Sequence, residues 1–355
     1  MNTPANRTQK RVVDLWNAAA PADAYFWNLP PVLRHMNAKV SGDPGTDWID
    51  WVSRSFLAEQ TPLQRCVSLC CGRGHLERTL IQRGVAAACD AFDIADQSIA
   101  AARRLAQEAG LDGIQYECRD VNQIHLEAER YDAAFVHDGL HHLVNLEHVY
   151  DEVRRSLKPG GWFVVHEYVG PSQFQFTDRQ VEVMNATLKL LPLKYRVRIR
   201  RQRRIEGTDS AMRQMPRSPS AWVTRIWEKA RSGRLFGAVQ SRLTARVRAW
   251  RGKPVYKERI DRPTIAEMNL WDPSEAIRSA EIIPLLHRFF QVVEIRPCGG
   301  TVFNYLLDDI AGNFDPSQEE DLRVLEMVLC IEDTLLESDD LHSDFAVVVA
   351  RKSAS

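Results

Sequence analysis

At 355 residues, with 45% hydrophobic and 26% charged content, the chain holds enough apolar material for one large core and an accessory lobe. A net charge of −1, from 46 Lys and Arg against 47 Asp and Glu, excludes a uniformly basic nucleic-acid binder. No run of about 18 apolar residues suggests a membrane span, and Met1 to Arg11 is polar, so a cytoplasmic protein without a membrane partner is expected. Cys66, Cys70, Cys71, Cys89, Cys118, Cys298 and Cys330 show neither paired Cys-x-x-Cys spacing nor a companion His-x-x-x-His, which argues against zinc and against a disulfide framework.

Residues 1–59 read as an N-terminal helical lid. Tyr25-Phe26-Trp27 precedes Pro30-Pro31, and Trp48, Trp51, Phe56 and Leu57 follow. Such a cluster either covers a cationic ligand, with Tyr25 as its contact, or staples a helix to the sheet behind it. The sheet itself is expected not to need Met1 to Trp27.

From Gln60 the pattern alternates strand and helix. Cys66 to Cys70 is a short apolar run ending in Cys71-Gly72-Arg73-Gly74, and Leu76, Leu80 and Ile81 then keep helical spacing to Arg83. Ala86 to Asp93 is a second strand, Asp96 to Gly110 a helix, Ile114 to Arg119 a third strand and Tyr131 to His137 a fourth. Leu146 to Leu157 has helical periodicity, and Lys158-Pro159-Gly160-Gly161 turns the chain into a fifth strand, Trp162 to Tyr168. Repeated strand-helix units imply a parallel sheet covered on both faces, an α/β fold in which residues 60–170 form the core. Residues 171–286 read as a largely helical insert, and residues 287–355 complete the core with strands Phe290 to Pro297 and Asp344 to Arg351.

In such sheets ligands lie outside the carboxyl ends of the strands, where the order of connection reverses. Three features meet there. The loop Cys70 to Gly74 lets the backbone approach a ligand closely. Asp93 ends the second strand, where a carboxylate accepts ribose hydroxyls, and Asp120 ends the third, where an acid accepts from an exocyclic adenine amine. Glu77, in the first turn of the following helix, would repel a pyrophosphate, and the third glycine of the dinucleotide fingerprint is missing, so a dehydrogenase is disfavoured.

These residues resemble a known family. Val67-Ser68-Leu69-Cys70-Cys71-Gly72-Arg73-Gly74 is similar to motif I of class I S-adenosylmethionine (SAM) dependent methyltransferases, and Phe92-Asp93-Ile94-Ala95 to their ribose-binding motif. Tyr131 to His137 through His141-His142-Leu143, then Leu157 to Gly161, resemble the fourth and fifth strand motifs; Glu167 to Pro171 and Asp272 to Ala276 resemble the saccharide and natural-product branch. The resemblance implies a Rossmann-like seven-stranded sheet, SAM as cosubstrate and no metal. It implies SAM contacts from Cys70, Cys71, Gly72, Arg73, Gly74, Asp93, Ile94, Asp120, Val121, His137 and Asp138. Motif I departs from the family at two positions. Ser68 stands where an acid is common, and Cys70 replaces a glycine, permitting the turn only with a negative φ. Arg73 and Asp138 are then the nearest partners for the carboxylate and ammonium of SAM.

Methyl transfer is an in-line displacement that needs alignment and water exclusion, with a general base for an unactivated hydroxyl or protonated amine. His141 is the first candidate and Glu167 the second, with Tyr25 contributing from the lid. His142 is expected to pack beneath its loop, and Phe174, Gln175, Phe176 and Asp178 to read the acceptor. Between Lys194 and Arg262 stand 21 Lys and Arg against 5 acids. The stripe Arg196, Arg198, Arg200, Arg201, Arg203 and Arg204 reads as a salt-bridged edge, an anionic or carrier-linked acceptor site, or, least favoured, an RNA contact. The expected function is methyl transfer to a small-molecule oxygen or nitrogen acceptor. The alternatives are SAM cyclisation to a four-membered imino acid with release of methylthioadenosine, and RNA methylation. The apolar stripe Leu322, Leu325, Leu329 packs either internally or across a homodimer.

Overall fold

The computed structural model describes residues 11–14, 25–199 and 253–353. Seven strands form one sheet: β1 (Cys66–Leu69), β2 (Cys89–Asp93), β3 (Ile114–Cys118), β4 (Tyr131–His137), β5 (Leu157–Tyr168), β6 (Gln291–Gly299) and β7 (Phe345–Arg351). Their order is β3-β2-β1-β4-β5-β7-β6. The first five are parallel, and β7 runs antiparallel between β5 and β6. The connection reverses between β1 and β4, so the crevice lies where these two strands end.

Alternation along the central strands divides the core. Cys66, Ala133, Phe135, Trp162, Val164, Val347 and Val349 face one side, where α1 (Pro30–Ser41), α2 (Trp48–Ser55), α3 (His75–Gln82), α6 (Asp178–Leu190) and α10 (Glu319–Glu337) contribute apolar residues. Val67, Leu69, Ala134, Val136, Phe163, Val165 and Val348 face the other, with α5 (Leu146–Ser156) and α8 (Ile282–Phe289). Between these helices, α4 (Asp96–Glu108) covers Ala91 and Tyr116, α7 (Ile265–Trp271) lies within residues 171–286 and α9 (Phe303–Leu307) precedes α10. The stripe on α10 packs internally, with Leu325, Val328 and Leu329 buried.

Three expectations change. The fifth strand begins at Leu157, because Leu157 already pairs with Tyr131 before a register shift brings Trp162 opposite Ala133. Of the expected edge Arg196 to Arg200, Arg196 ends the 3-10 turn Leu193–Arg196, Val197 bridges antiparallel to Tyr256, and Arg200 lies outside the described residues. The N-terminal segment is also part of the core. Phe26 is buried, with its ring 5.1 Å from Phe303 and 6.0 Å from Phe345, and Val32, Met36 and Val40 are buried behind it.

Candidate functional site

The loop after β1 is shaped by contacts that the strand ends impose. Cys70 takes φ +56°, contrary to the expected negative value. The turn survives because the opposing residue is Gly139: a Cβ there would lie 2.4 Å from the Cys70 Cβ. Gly74, at φ +75°, leaves room for Tyr116, whose hydroxyl donates to the Gly74 carbonyl at 3.2 Å. Asp93 accepts the Gly72 and Ala95 amides, both at 2.8 Å. A carboxylate offers about four acceptor positions, so capacity for a diol remains. Burial raises the Asp93 pKa, and the backbone amides oppose that rise. Asp120 starts the turn Val121–Gln123, accepting from the Asn122 amide at 2.9 Å and Gln123 Nε2 at 2.8 Å. Burial pushes the Cys70 thiol well up, and the nearby carboxylates of Asp93, Glu167 and Asp120 push it further. The loop, Asp93 and Asp120 therefore converge on one crevice. Arg73 is exposed, whereas Ile94 is half-buried and Val121 buried.

The acid absent at position 68 is supplied from α3. Glu77 is fully buried and accepts the Ser68 hydroxyl. Burial drives its pKa up to about 7, with the Ser68 bond opposing. Glu77 thus lies under the loop instead of facing a ligand, and the electrostatic objection to a pyrophosphate placed on it does not hold.

Two histidine clusters flank the ends of β4 and β5. In the first, Asp138 Oδ2 lies 3.5 Å from His137 Nε2, and Asp138 Oδ1 lies 3.5 Å from His166 Nδ1. Burial holds His137 down at about 4, although Asp138 opposes this. For His166 burial is outweighed by Asp138 and Cys298, which lift it to about 10. Trp48 stacks on His166 at 5.6 Å, and Trp27 lies 5.8 Å from the same ring. Trp27 and Trp48 are therefore the aromatics that reach the strand ends. Tyr25, the expected lid contact, is 40% exposed.

In the second cluster, His141 Nδ1 is bonded to Glu167 Oε1, and His141 Nε2 lies 3.8 Å from Glu275 Oε1. Burial would lower the His141 pKa, but the two carboxylates outweigh it and lift the group to about 9. That rise favours the protonated form of His141 at neutral pH, in which it donates hydrogen bonds. Glu167 is fully buried and also accepts the amides of Gly139 (2.9 Å), Leu140 (2.6 Å) and Tyr168 (2.8 Å). With its acceptor positions engaged it orients the loop and His141. His142 is largely buried, with Nε2 4.0 Å from Glu275 Oε2 and Nδ1 3.2 Å from Ser274 Oγ. Glu275 was legible only as part of the run Asp272 to Ala276. Its pKa is raised to about 7, by burial first and with His141 opposing.

Beyond β5, Phe174 and Phe176 stack at 5.7 Å and Phe176 is buried, so this pair packs with Tyr305. Gln175 Nε2 donates to the Pro263 carbonyl at 3.0 Å, and Asp178 accepts from Arg262 at 2.6 Å. Of the arginine stripe, Arg196 donates to the Leu191 and Lys189 carbonyls, and Arg198 lies 3.6 Å from Asp309. Arg200, Arg201, Arg203 and Arg204 lie outside the described residues.

A parallel sheet with this switch point, a glycine-containing loop after β1 and acids after β2 and β3 define a nucleoside-binding Rossmann-like fold. Residues 67–165 match the family model described as a methyltransferase domain. It is 44% identical over 63 residues to squalene methyltransferase 2 of Botryococcus braunii, covering 18% of this chain and 17% of that one. It is 36% identical over 121 residues to methyltransferase phqN of Penicillium fellutanum, covering 32% and 36%. The matched parts thus span well under half of those relatives. A solved SAM-dependent methyltransferase from Mesorhizobium loti is 20% identical, covering 85% of this chain and 97% of its own at a TM-score of 0.37. The fold assignment rests on the strand order and the domain match, not on that likeness.

Proposed function

We propose that the protein transfers the methyl group of SAM to a small-molecule oxygen or nitrogen acceptor. The carrying observation is the convergence of the Cys70–Gly74 loop, Asp93 and Asp120 at the switch point of a matched methyltransferase domain. Asp93 takes the ribose, Asp120 and Val121 the adenine, and Asp138 the ammonium group. Two matched relatives are named for squalene, but the mouth here is lined by His141, His142 and Glu275, and that polar, ionisable lining supports a heteroatom acceptor. In-line attack on the methyl releases a neutral thioether, so the protein mainly aligns acceptor, methyl and sulfur. Glu275, with a pKa near neutrality, takes the proton of an acceptor hydroxyl or ammonium, while His141, steadied by Glu167, donates a hydrogen bond.

The test is product identity. Incubation with hydroxylated or amino acceptors is expected to yield S-adenosylhomocysteine, with no turnover in their absence, and folded Asp93→Ala is expected to lose SAM affinity at least tenfold by calorimetry. Acceptor-independent release of methylthioadenosine above the spontaneous rate overturns methyl transfer in favour of SAM cyclisation.

A further inference from the structure

His141, His142 and Glu275 bring two imidazole nitrogens and a carboxylate oxygen within 4.8 Å of one another. The His141 Nε2 to Glu275 Oε1 distance is 3.8 Å and the His142 Nε2 to Glu275 Oε2 distance is 4.0 Å. An ion holding nitrogen and oxygen at about 2.0–2.2 Å in a tetrahedral set separates its ligands by roughly 3.4 Å, so closure of about half an ångström at these two contacts, and of no more than about 1.4 Å across the set, seats it. The other face of each imidazole is already engaged. His141 Nδ1 is held by Glu167, itself fixed by three backbone amides. His142 Nδ1 faces Ser274 Oγ at 3.2 Å, and that hydroxyl donates to Asp272 Oδ1 at 2.6 Å. Such outer partners set the tautomer of metal-bound histidines and direct the opposite nitrogen to the ion. Burial of the cluster adds to this, with His141 7% exposed. An ion pair between His141 and Glu275 alone would not require a second imidazole, oriented by its own hydroxyl-carboxylate pair, to present Nε2 to the same carboxylate.

The geometry points to a divalent transition-metal site made by His141 Nε2, His142 Nε2 and the Glu275 carboxylate, with the remaining position open to an oxygen of the acceptor. Two imidazoles and one carboxylate suit zinc, cobalt or iron better than magnesium or calcium. The ion takes the place of the proton between His141 and Glu275, so in the metal-loaded protein these two side chains hold the ion and the donor and base roles belong to the metal-free form. Its use in holding an acceptor oxygen rests on the methyl-transfer reading; its binding does not.

Cobalt(II) added to metal-free full-length protein tests the site through its visible absorption and equilibrium dialysis. One equivalent is expected to bind and to be displaced by zinc. The absorption is expected to vanish in His142→Ala and in Glu275→Gln, to need 10- to 100-fold more cobalt in Glu167→Gln, and to persist in His137→Ala of the neighbouring cluster. Circular dichroism of each variant separates lost binding from lost fold. No absorption in the wild-type protein, survival in His142→Ala, or loss confined to His137→Ala overturns the site. SAM titration of the same samples keeps the two readings apart: SAM binding without cobalt removes the metal site alone, and cobalt binding without SAM binding removes the methyl-transfer reading alone.

Discussion

Gly139 and Cys70 act as a pair. A left-handed cysteine replaces the usual loop glycine, and its Cβ occupies the space that a side chain at position 139 would need. Gly139→Ala is therefore expected to destabilise by about 2 kcal/mol or more through overpacking. The double variant Cys70→Gly with Gly139→Ala is expected to recover most of that loss, since removing the Cys70 Cβ opens the contact and glycine takes a positive φ without strain. Urea unfolding of the four proteins in this cycle gives the coupling, and additive losses would mean that the two positions are independent. Cys70 and Gly139 were each visible in the sequence, but their contact joins the ends of β1 and β4 and no local pattern encodes it. Ser68 and Glu77 show the same limit. The missing acid was legible at position 68, whereas its replacement depends on the helix laying Glu77 beneath the strand.

At the scale of elements, periodicity and turn chemistry placed every strand of the sheet to within a few residues, because helices and buried strands carry their pattern in contiguous sequence. The N-terminal segment was expected to be dispensable to the sheet, whereas Phe26 is buried in the core. Its aromatic cluster was plain, but whether it faced a ligand or the core depended on Phe303 and Phe345, which arrive from the far end of the chain. Phe26→Ala is expected to cost about 3–5 kcal/mol in urea unfolding, as for other large buried aromatics, and deletion through Trp27 to cost at least as much. A truncated protein with wild-type stability would return the segment to the role of a removable cover. The candidate site divides in the same way. The loop, Asp93 and Asp120 follow from strand ends in order, whereas Glu275 comes from the far part of residues 171–286, where it faces His141 Nε2 at 3.8 Å and the Ile277 amide donates to the His141 carbonyl at 2.9 Å.

For the whole molecule, buried titratable groups set the response to pH. His141 and His166, lifted to about 9 and about 10, retain protons in the folded state that the unfolded chain releases near 6.5. Their contribution is complete below pH 6.5 and is lost as pH rises through 9 and 10. Buried Glu77 and Glu332, raised to about 7, work in the same direction at lower pH, because the folded state binds protons that the unfolded chain has lost above about 4.5. His137, depressed to about 4, opposes them only below 6.5. Melting temperature is therefore expected to fall steadily from pH 7 to 10, and the fall to be shallower in His166→Gln; a flat profile in the wild-type protein would contradict the assigned protonation. The bridge between Val197 and Tyr256 has a different consequence. Arg198 N–H donates to the Val255 carbonyl at 2.8 Å, and Lys257 N–H donates to the Arg196 carbonyl at 2.7 Å, so the chain departs and returns through one narrow neck. Lys257 Nζ anchors the returning strand to the Tyr305, Leu306 and Asp308 carbonyls. The residues that flank positions 200–252, Arg196 to Arg198 and Val255 to Lys257, are therefore held side by side by the rest of the protein, which fixes their spacing independently of the chain that joins them.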